Sequence, residues 1–300
     1  MIAFLAPGQG SQTPGMLADW LELPGAADQI SRWSQISGLD LAALGTTASA
    51  EEITDTAVTQ PLVVATTLLA YGELARRGLP GRALAAGHSV GEIAAYAIAG
   101  VISADDAVKL AAVRGAEMAQ ACAREATGMS AVLGGEEPEV LARLEALELV
   151  PANRNAAGQI VAAGSVAALE KLAEDPPAKA RVRQLATAGA FHTHYMASAL
   201  DGYAAAAEAV SASDPTMTLL SNYDGAPVAS ASDAMEKLVA QLTRPVRWDL
   251  CSATMASQGT TAIVEFPPAG ALTGIAKREL RGVATHAVKT PADLDGLPEL

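Results

Sequence analysis

Ala83-Leu84-Ala85-Ala86-Gly87-His88-Ser89-Val90-Gly91-Glu92-Ile93-Ala94-Ala95-Tyr96-Ala97-Ile98-Ala99-Gly100 is the stretch from which the fold can be read. The apolar run Ala83–Ala86 predicts a short buried strand, and Glu92–Ala99 predicts a helix that stops at Gly100. Between them, Gly87-His88-Ser89-Val90-Gly91 fits G-x-S-x-G, a sharp turn that lifts a Ser hydroxyl clear of a sheet. Only small flanking residues avoid clashes in such a turn. A strand, a tight turn and a helix make half of a parallel β-α-β unit, here of the α/β-hydrolase-like kind.

The same rhythm continues on both sides. Ile2–Ala6 predicts a buried strand that ends at Pro7-Gly8, and Thr59-Gln60-Pro61 precedes a helix over Leu62–Leu74 with Pro near its first turn. Ser103-Ala104-Asp105-Asp106 has the form of an N-cap with acidic first-turn residues, opening a helix through Gln120. A long Ala-rich helix is expected from Tyr195 to Val210, then a strand at Ile263–Phe266 and a helix at Leu272–Leu280. This alternation predicts a parallel sheet with helices on both faces.

The middle of the chain reads differently. Strands at Met129–Leu133, Val150–Asn155, Gln159–Gly164 and Arg181–Ala186 alternate with helices at Pro138–Leu147 and Val166–Ala173. That order, β-α-β-β-α-β, predicts a small ferredoxin-like α+β domain. The expected division is a large α/β domain over residues 1–126 and 192–300, with the ferredoxin-like domain inserted at 127–191.

Composition narrows the function classes. Of 300 residues half are hydrophobic and 18% charged, as in a globular protein with a sizeable core, while aromatics at 4% disfavour an all-β sandwich. A net charge of −13 excludes nucleic acid as the main partner, because neutralising phosphates takes clustered Lys and Arg. Apolar runs are too short to span a membrane, and no basic segment precedes Ile2–Ala6 to suggest a signal peptide. Cys122 and Cys251 are far apart in apolar contexts and read as two buried free thiols, so the expected compartment is the cytoplasm.

A Ser nucleophile needs a base, and the chain has four His residues. His88 adjoins Ser89 on the turn and would point away from a base position, though it can line a pocket. His192 precedes Thr193, which reads as a helix N-cap, where the positive helix end would keep an imidazole neutral and able to accept a proton. His194 reads as a solvated first-turn residue. His286, late in the chain, remains a second candidate; with Ser89 and Asp224 or Asp249 it would complete the Ser–acid–His order of an esterase or thioesterase.

With Ser89 and His192 in place, the chain resembles the malonyl-CoA:acyl carrier protein transacylases of fatty acid synthesis and the acyltransferase domains of polyketide synthases. The resemblance spans essentially the whole chain. It rests on Pro7-Gly8-Gln9-Gly10-Ser11-Gln12, Thr59-Gln60-Pro61, Gly87-His88-Ser89-Val90-Gly91-Glu92, Arg114-Gly115 and Ala190-Phe191-His192-Thr193. Ser221-Asn222, Pro245-Val246-Arg247-Trp248 and Leu272-Thr273-Gly274 complete the set.

The resemblance implies a role for each matching residue. Ser89 would be the nucleophile and His192 the base, oriented by the backbone carbonyl at Gln241 instead of an acid. The backbone amides of Gln9 and Val90 would form the oxyanion hole, and Arg114 would pair with the free malonyl carboxylate. His88 and Asn155 would line the pocket. Phe191 before the base and Val90 after the nucleophile imply malonyl over methylmalonyl. Malonyl-CoA and an acidic acyl carrier protein are the implied partners, with no metal or other cofactor. One departure stands out: Pro267-Pro268-Ala269-Gly270 replaces the Gly-Pro-Gly-Lys of relatives, which leaves that loop's shape and any carrier contact of the Lys open.

Overall fold

The structure is a computed structural model that describes residues 1–79 and 81–297; the last three residues of the expected large domain, 298–300, lie outside it. Among the described residues the strands are β1 (Ile2–Ala6), β2 (Ala83–Gly87), β3 (Thr127–Gly134), β4 (Val150–Ala156), β5 (Gln159–Ser165), β6 (Ala180–Gln184), β7 (Thr218–Leu220), β8 (Ala262–Glu265) and β9 (Ala284–Ala287). They form two sheets. One is wholly parallel, in the order β7-β2-β1-β8-β9; the other is antiparallel, in the order β4-β5-β3-β6.

β1 and β2 pair in register from Ile2–Ala83 to Ala6–Gly87, and both are buried except at their first residue. Small and branched apolar residues on both faces let helices cover the sheet from above and below. The helices Thr56–Arg77, Gly91–Ile98 and Ala104–Cys122 pack on one another beside it. Gly115 permits a close approach between two of them: a Cβ there would lie 2.7 Å from the carbonyl oxygen of Thr56. That contact sets Arg114 against the start of the neighbouring helix.

The antiparallel sheet has its own apolar core of Val132, Val140, Leu144, Leu149, Ile160, Ala162, Leu169 and Leu172 beneath the helices Glu137–Ala146 and Val166–Glu174. Met129, Ala152, Val161 and Ala163 instead join the core of the large part. The chain leaves and returns at one place, where the Thr127 hydroxyl accepts the Ala190 N–H at 3.1 Å. A second tie joins the sheet to residue 246: Arg154 N–H donates to Val246 O at 2.9 Å and Val246 N–H to Ala152 O at 2.8 Å.

Two helices differ from the sequence reading. The helix expected over Leu62–Leu74 starts six residues earlier, at Thr56, because the Asp55 side chain caps it by accepting from Ala57 N–H at 2.8 Å. Pro61 therefore sits inside the helix, in the second turn, and not at its start. The helix expected from Tyr195 to Val210 is split into a 3₁₀ segment, His194–Ala199, and an α-helix, Leu200–Glu208. Thr193 caps the tighter segment through Tyr195 N–H and donates back to Ala190 O at 2.6 Å, which fixes the entry direction. Cys251 is buried, but Cys122 is only partly so; both are free thiols. Among the described residues no helix is long and apolar enough to cross a membrane.

Candidate active site

β2 ends at Gly87 and the eight-residue helix begins at Gly91, so the chain must reverse within three residues. Ser89 does this at φ 54°, in the left-handed region that a non-glycine residue rarely adopts. Gly91 makes the turn possible, since a Cβ there would lie 2.2 Å from Ala6 O and 2.5 Å from Pro7 O. The Asn222 side chain ties the turn together, accepting from Ser89 N–H at 2.8 Å and donating to Gly87 O at 2.7 Å.

Ser89 Oγ lies 2.7 Å from His192 Nε2, and His192 Nδ1 lies 2.8 Å from the Gln241 carbonyl oxygen. A carbonyl oxygen only accepts, so Nδ1 carries the proton and Nε2 presents its lone pair to the Ser hydroxyl. His192 is 2% exposed, and its pKa is pushed down to about 3, first by burial and then by the Arg114 cation. The carbonyl of Gln241 opposes that shift only partly. Burial and a neighbouring cation keep this imidazole neutral.

Arg114 is 1% exposed. Its Nη1 donates to Gln60 Oε1 at 2.8 Å, and its Nη2 to Gln241 Oε1 at 2.8 Å and to Ser89 Oγ at 3.5 Å. All three acceptors are neutral oxygens, so among the described residues the guanidinium is held in place with its charge uncancelled by a direct carboxylate contact. A guanidinium held in this way can pair with a carboxylate brought next to Ser89.

A cleft of about 670 Å³ opens between the two sheets over these groups. Gln9, His88, Ser89, Arg114, Asn155, Phe191 and His192 all line it. His88 Nε2 lies 2.8 Å from Asn155 Oδ1 and its ring packs edge-on against Trp248, so the ring is engaged by those two residues. Gln9 anchors its side chain on the Thr56 hydroxyl at 3.2 Å. Among the described residues, the backbone amides of Gln9 and Val90 donate to no protein acceptor. Val90 itself is fully buried. Past the replaced loop, Glu265 accepts from Leu272 and Thr273 N–H at 3.0 and 2.7 Å, so a carboxylate caps the helix Ala271–Glu279.

The hydrolase arrangement is not assembled. Asp224 pairs with Lys237 at 3.2 Å and Asp249 with Arg247 at 2.8 Å. His286 lies on β9, three strands from β2, which is about 14 Å at ordinary strand spacing. His194 is exposed and stacks on Tyr195.

Three residues that sequence reasoning gave no role stand close to the reacting groups: Gln60, Asn222 and Glu92. Glu92 carried a readable signal, as the one charged residue in the apolar helix Gly91–Ile98.

Known proteins resemble the chain along its length. A family model described as the acyl transferase domain matches residues 3–292. The malonyl CoA-acyl carrier protein transacylase of Mycolicibacterium smegmatis is 77% identical over 290 residues, covering 95% of this chain and all of that protein. The crystal structure of MCAT from Mycobacterium tuberculosis superposes with a TM-score of 0.96 at 73% identity, covering 98% of both chains. A chain from the structure of a type II PKS acyl-carrier protein in complex with its malonyl-transacylase gives 0.93 at 30% identity, over 98% of this chain and 97% of that one. On these grounds the chain belongs to the acyl transferase domain family.

Proposed function

We propose that the chain is a malonyl-CoA:acyl carrier protein S-malonyltransferase working through an ester on Ser89. The observation that carries this is the line Ser89 Oγ–His192 Nε2–His192 Nδ1–Gln241 O, with the Arg114 guanidinium beside the Ser hydroxyl. A neutral imidazole activates the nucleophile, and a buried cation selects a substrate that brings its own carboxylate.

In the first half-reaction His192 Nε2 takes the Ser89 Oγ proton as Oγ attacks the malonyl thioester carbon. The oxyanion is met by the backbone amides of Gln9 and Val90, two donors with no competing acceptor. The C–S bond then breaks, and the thiolate of CoA takes the proton from His192. In the second half the pantetheine thiol of the carrier gives its proton to His192 and attacks the ester; Ser89 leaves and recovers the proton. Proton traffic thus needs only His192, and no metal or redox cofactor enters. Phe191, buried beside the base and lining the cleft, limits space at the α-carbon and favours malonyl. His88 and Asn155, bonded to each other, form part of the wall.

The architecture suits this division of labour. We read the large part, 1–126 with 192–300, as α/β-hydrolase-like, and residues 127–191 as an inserted ferredoxin-like domain. The parallel sheet bearing the Ser turn and the antiparallel order β4-β5-β3-β6 support that reading. The two free thiols suit work in the reducing cytoplasm.

The test is intact-protein mass spectrometry after mixing with malonyl-CoA. One malonyl group should appear on the wild type, vanish in Ser89→Ala, and be discharged by holo-acyl carrier protein. A label on a peptide lacking Ser89 would overturn the assignment.

A further inference from the structure

Glu92 is fully buried one turn beyond the elbow, within a helix that is otherwise uncharged. Its Oε1 accepts the Asn222 N–H at 2.6 Å, and its Oε2 accepts from Gln241 Nε2. Asn222 in turn holds the Ser89 N–H. Gln241 holds the His192 ring with its main-chain oxygen and Arg114 with its side-chain oxygen. One carboxylate therefore stands behind the nucleophile, the base and the cation while touching none of them.

We propose that Glu92 is the positioning carboxylate of this site, locking the Gln241 side-chain amide so that its oxygen faces Arg114 and its NH₂ faces away. The inference rests on the transfer reaction proposed above. The reasoning is one of donors and acceptors. Arg114 only donates, so the side of Gln241 facing it must be the oxygen; an ionised Glu92 only accepts, so the other side must be the NH₂. An amide between an anion and a cation has one orientation that satisfies both. The same NH₂ also donates to Ser89 O and Asn222 Oδ1, both at 3.2 Å, so Glu92 is the charged one of three acceptors. A group that donates at position 92 removes the strongest of them, and the amide is then held less firmly with its oxygen against the Arg114 guanidinium. Arg114 would keep its bond to Gln60 but lose the fixed partner of Nη2, so the malonyl carboxylate would be held less well. Acetyl transfer needs Ser89, His192 and the main-chain oxygen of Gln241, and would suffer less.

Protonation does to Glu92 what an amide substitution would. Burial pushes its carboxyl up to about 7, with Asn222 N–H, Ser221, Arg114 and Gln241 pulling the other way. The titratable groups coupled to it are Arg114, Tyr96 on its own helix, Tyr203 from the helix Leu200–Glu208 and Cys251 from the helix Trp248–Ser257. Burial raises the last three, so they stay neutral near pH 7 and Arg114 is the charge that responds.

The experiment compares kcat/KM for malonyl-CoA and acetyl-CoA in the wild type, Glu92→Gln, Arg114→Ala and the double variant. Glu92→Gln should lower the malonyl-to-acetyl ratio at least tenfold, and should lower it no further in the Arg114→Ala background. An unchanged ratio, equal loss of both activities, or additivity with Arg114→Ala would overturn the proposal. Should Glu92→Gln not fold, the wild type decides: the ratio should be highest above pH 7 and fall as the pH drops through it, while a ratio flat from pH 8.5 to 5.5 would overturn it. Malonyl labelling of wild-type Ser89 is run alongside. Failure of that label sinks the proposed reaction, whereas a normal label with an indifferent Glu92→Gln sinks this inference alone.

Discussion

Ser89 and His192 both hold their backbones at positive φ, 54° and 61°, a conformation that costs a non-glycine residue on the order of 1–2 kcal/mol. Each is held there by its neighbours, Ser89 by Asn222 and His192 by Gln241. In the mechanism proposed above His192 is the general base, so His192→Ala should slow acylation by ~10²–10⁴-fold, while His286→Ala changes it only a few-fold. Stopped-flow release of CoA measures both, and an essential His286 would revive the hydrolase reading. Because burial and the Arg114 cation push His192 down to about 3, its base form predominates well below neutral pH and is lost only in strong acid. Acetyl transfer should therefore show no acid limb near 6.5, where an ordinary His would place one. Arg114→Ala should cut malonyl transfer more than a hundredfold, since stripping one partner from a buried charge pair costs about 3–5 kcal/mol; acetyl transfer should fall far less. Ser89 was legible in sequence because its turn imposes glycines on both sides, and His192 because few His residues compete. Gln241 was reached through family resemblance alone. Its working atom is a main-chain oxygen, which every residue type possesses and which leaves no signature in the sequence.

At the scale of elements, the glycines on either side of the nucleophile make opposite predictions to a glycine elsewhere. Gly91→Ala would force a Cβ against the backbone oxygens of Ala6 and Pro7, which cannot rotate away, so stability should fall by about 1–3 kcal/mol and acylation should slow. Gly72, exposed within the helix Thr56–Arg77, has no atom within 4 Å of its would-be Cβ, so Gly72→Ala should gain roughly 0.5–1 kcal/mol and leave activity alone. Urea titrations of both variants check the signs. Elements with a strong apolar run and a glycine or proline boundary, such as β1 and β2, could be read to within a residue. The start of the helix Thr56–Arg77 could not, because Thr56, Thr59 and Gln60 are polar yet buried, and Pro61 imitates a helix start. β7, with three residues, is too short for any periodicity to register. The 3₁₀ segment His194–Ala199 follows an Ala-rich pattern that suits an α-helix equally well; the cap on Thr193 and the buried Met196 and Ala199 decide in favour of the tighter winding.

On the scale of the whole molecule, charge raises a problem that geometry resolves. A chain at −13 should repel an acidic carrier protein at long range, so a carrier must find a local basic face near the cleft. Three groups of basic residues stand out in the sequence, and the fold separates them. Arg76 and Arg77 are already paired, both with Glu73 and Arg77 also with Asp295, so the group they form with Arg82 has little free charge to offer. Lys179, Arg181 and Arg183 are exposed along β6, an edge of the antiparallel sheet. Lys277, Arg278 and Arg281 are exposed at the end of the helix Ala271–Glu279, and Arg278 lines the cleft, where it donates to Gln159 of β5. This last group borders the mouth, with Arg278 reaching from its helix to β5 of the antiparallel sheet, so we propose it as the face a carrier would use to deliver its pantetheine arm. Sequence order could not reveal this, because the closeness of Arg278 to Gln159 exists only once the helix Ala271–Glu279 packs near the antiparallel sheet. Lys277→Glu with Arg281→Glu should raise KM for the carrier several-fold and leave KM for malonyl-CoA unchanged; Arg278 is spared because it lines the substrate path. Added salt should raise the wild-type carrier KM and have little effect on the variant, since a Debye length of about 8 Å at 0.15 M already screens the distant charges. If charge reversal on β6 raises the carrier KM and reversal at 277 and 281 does not, the carrier approaches along the antiparallel sheet instead.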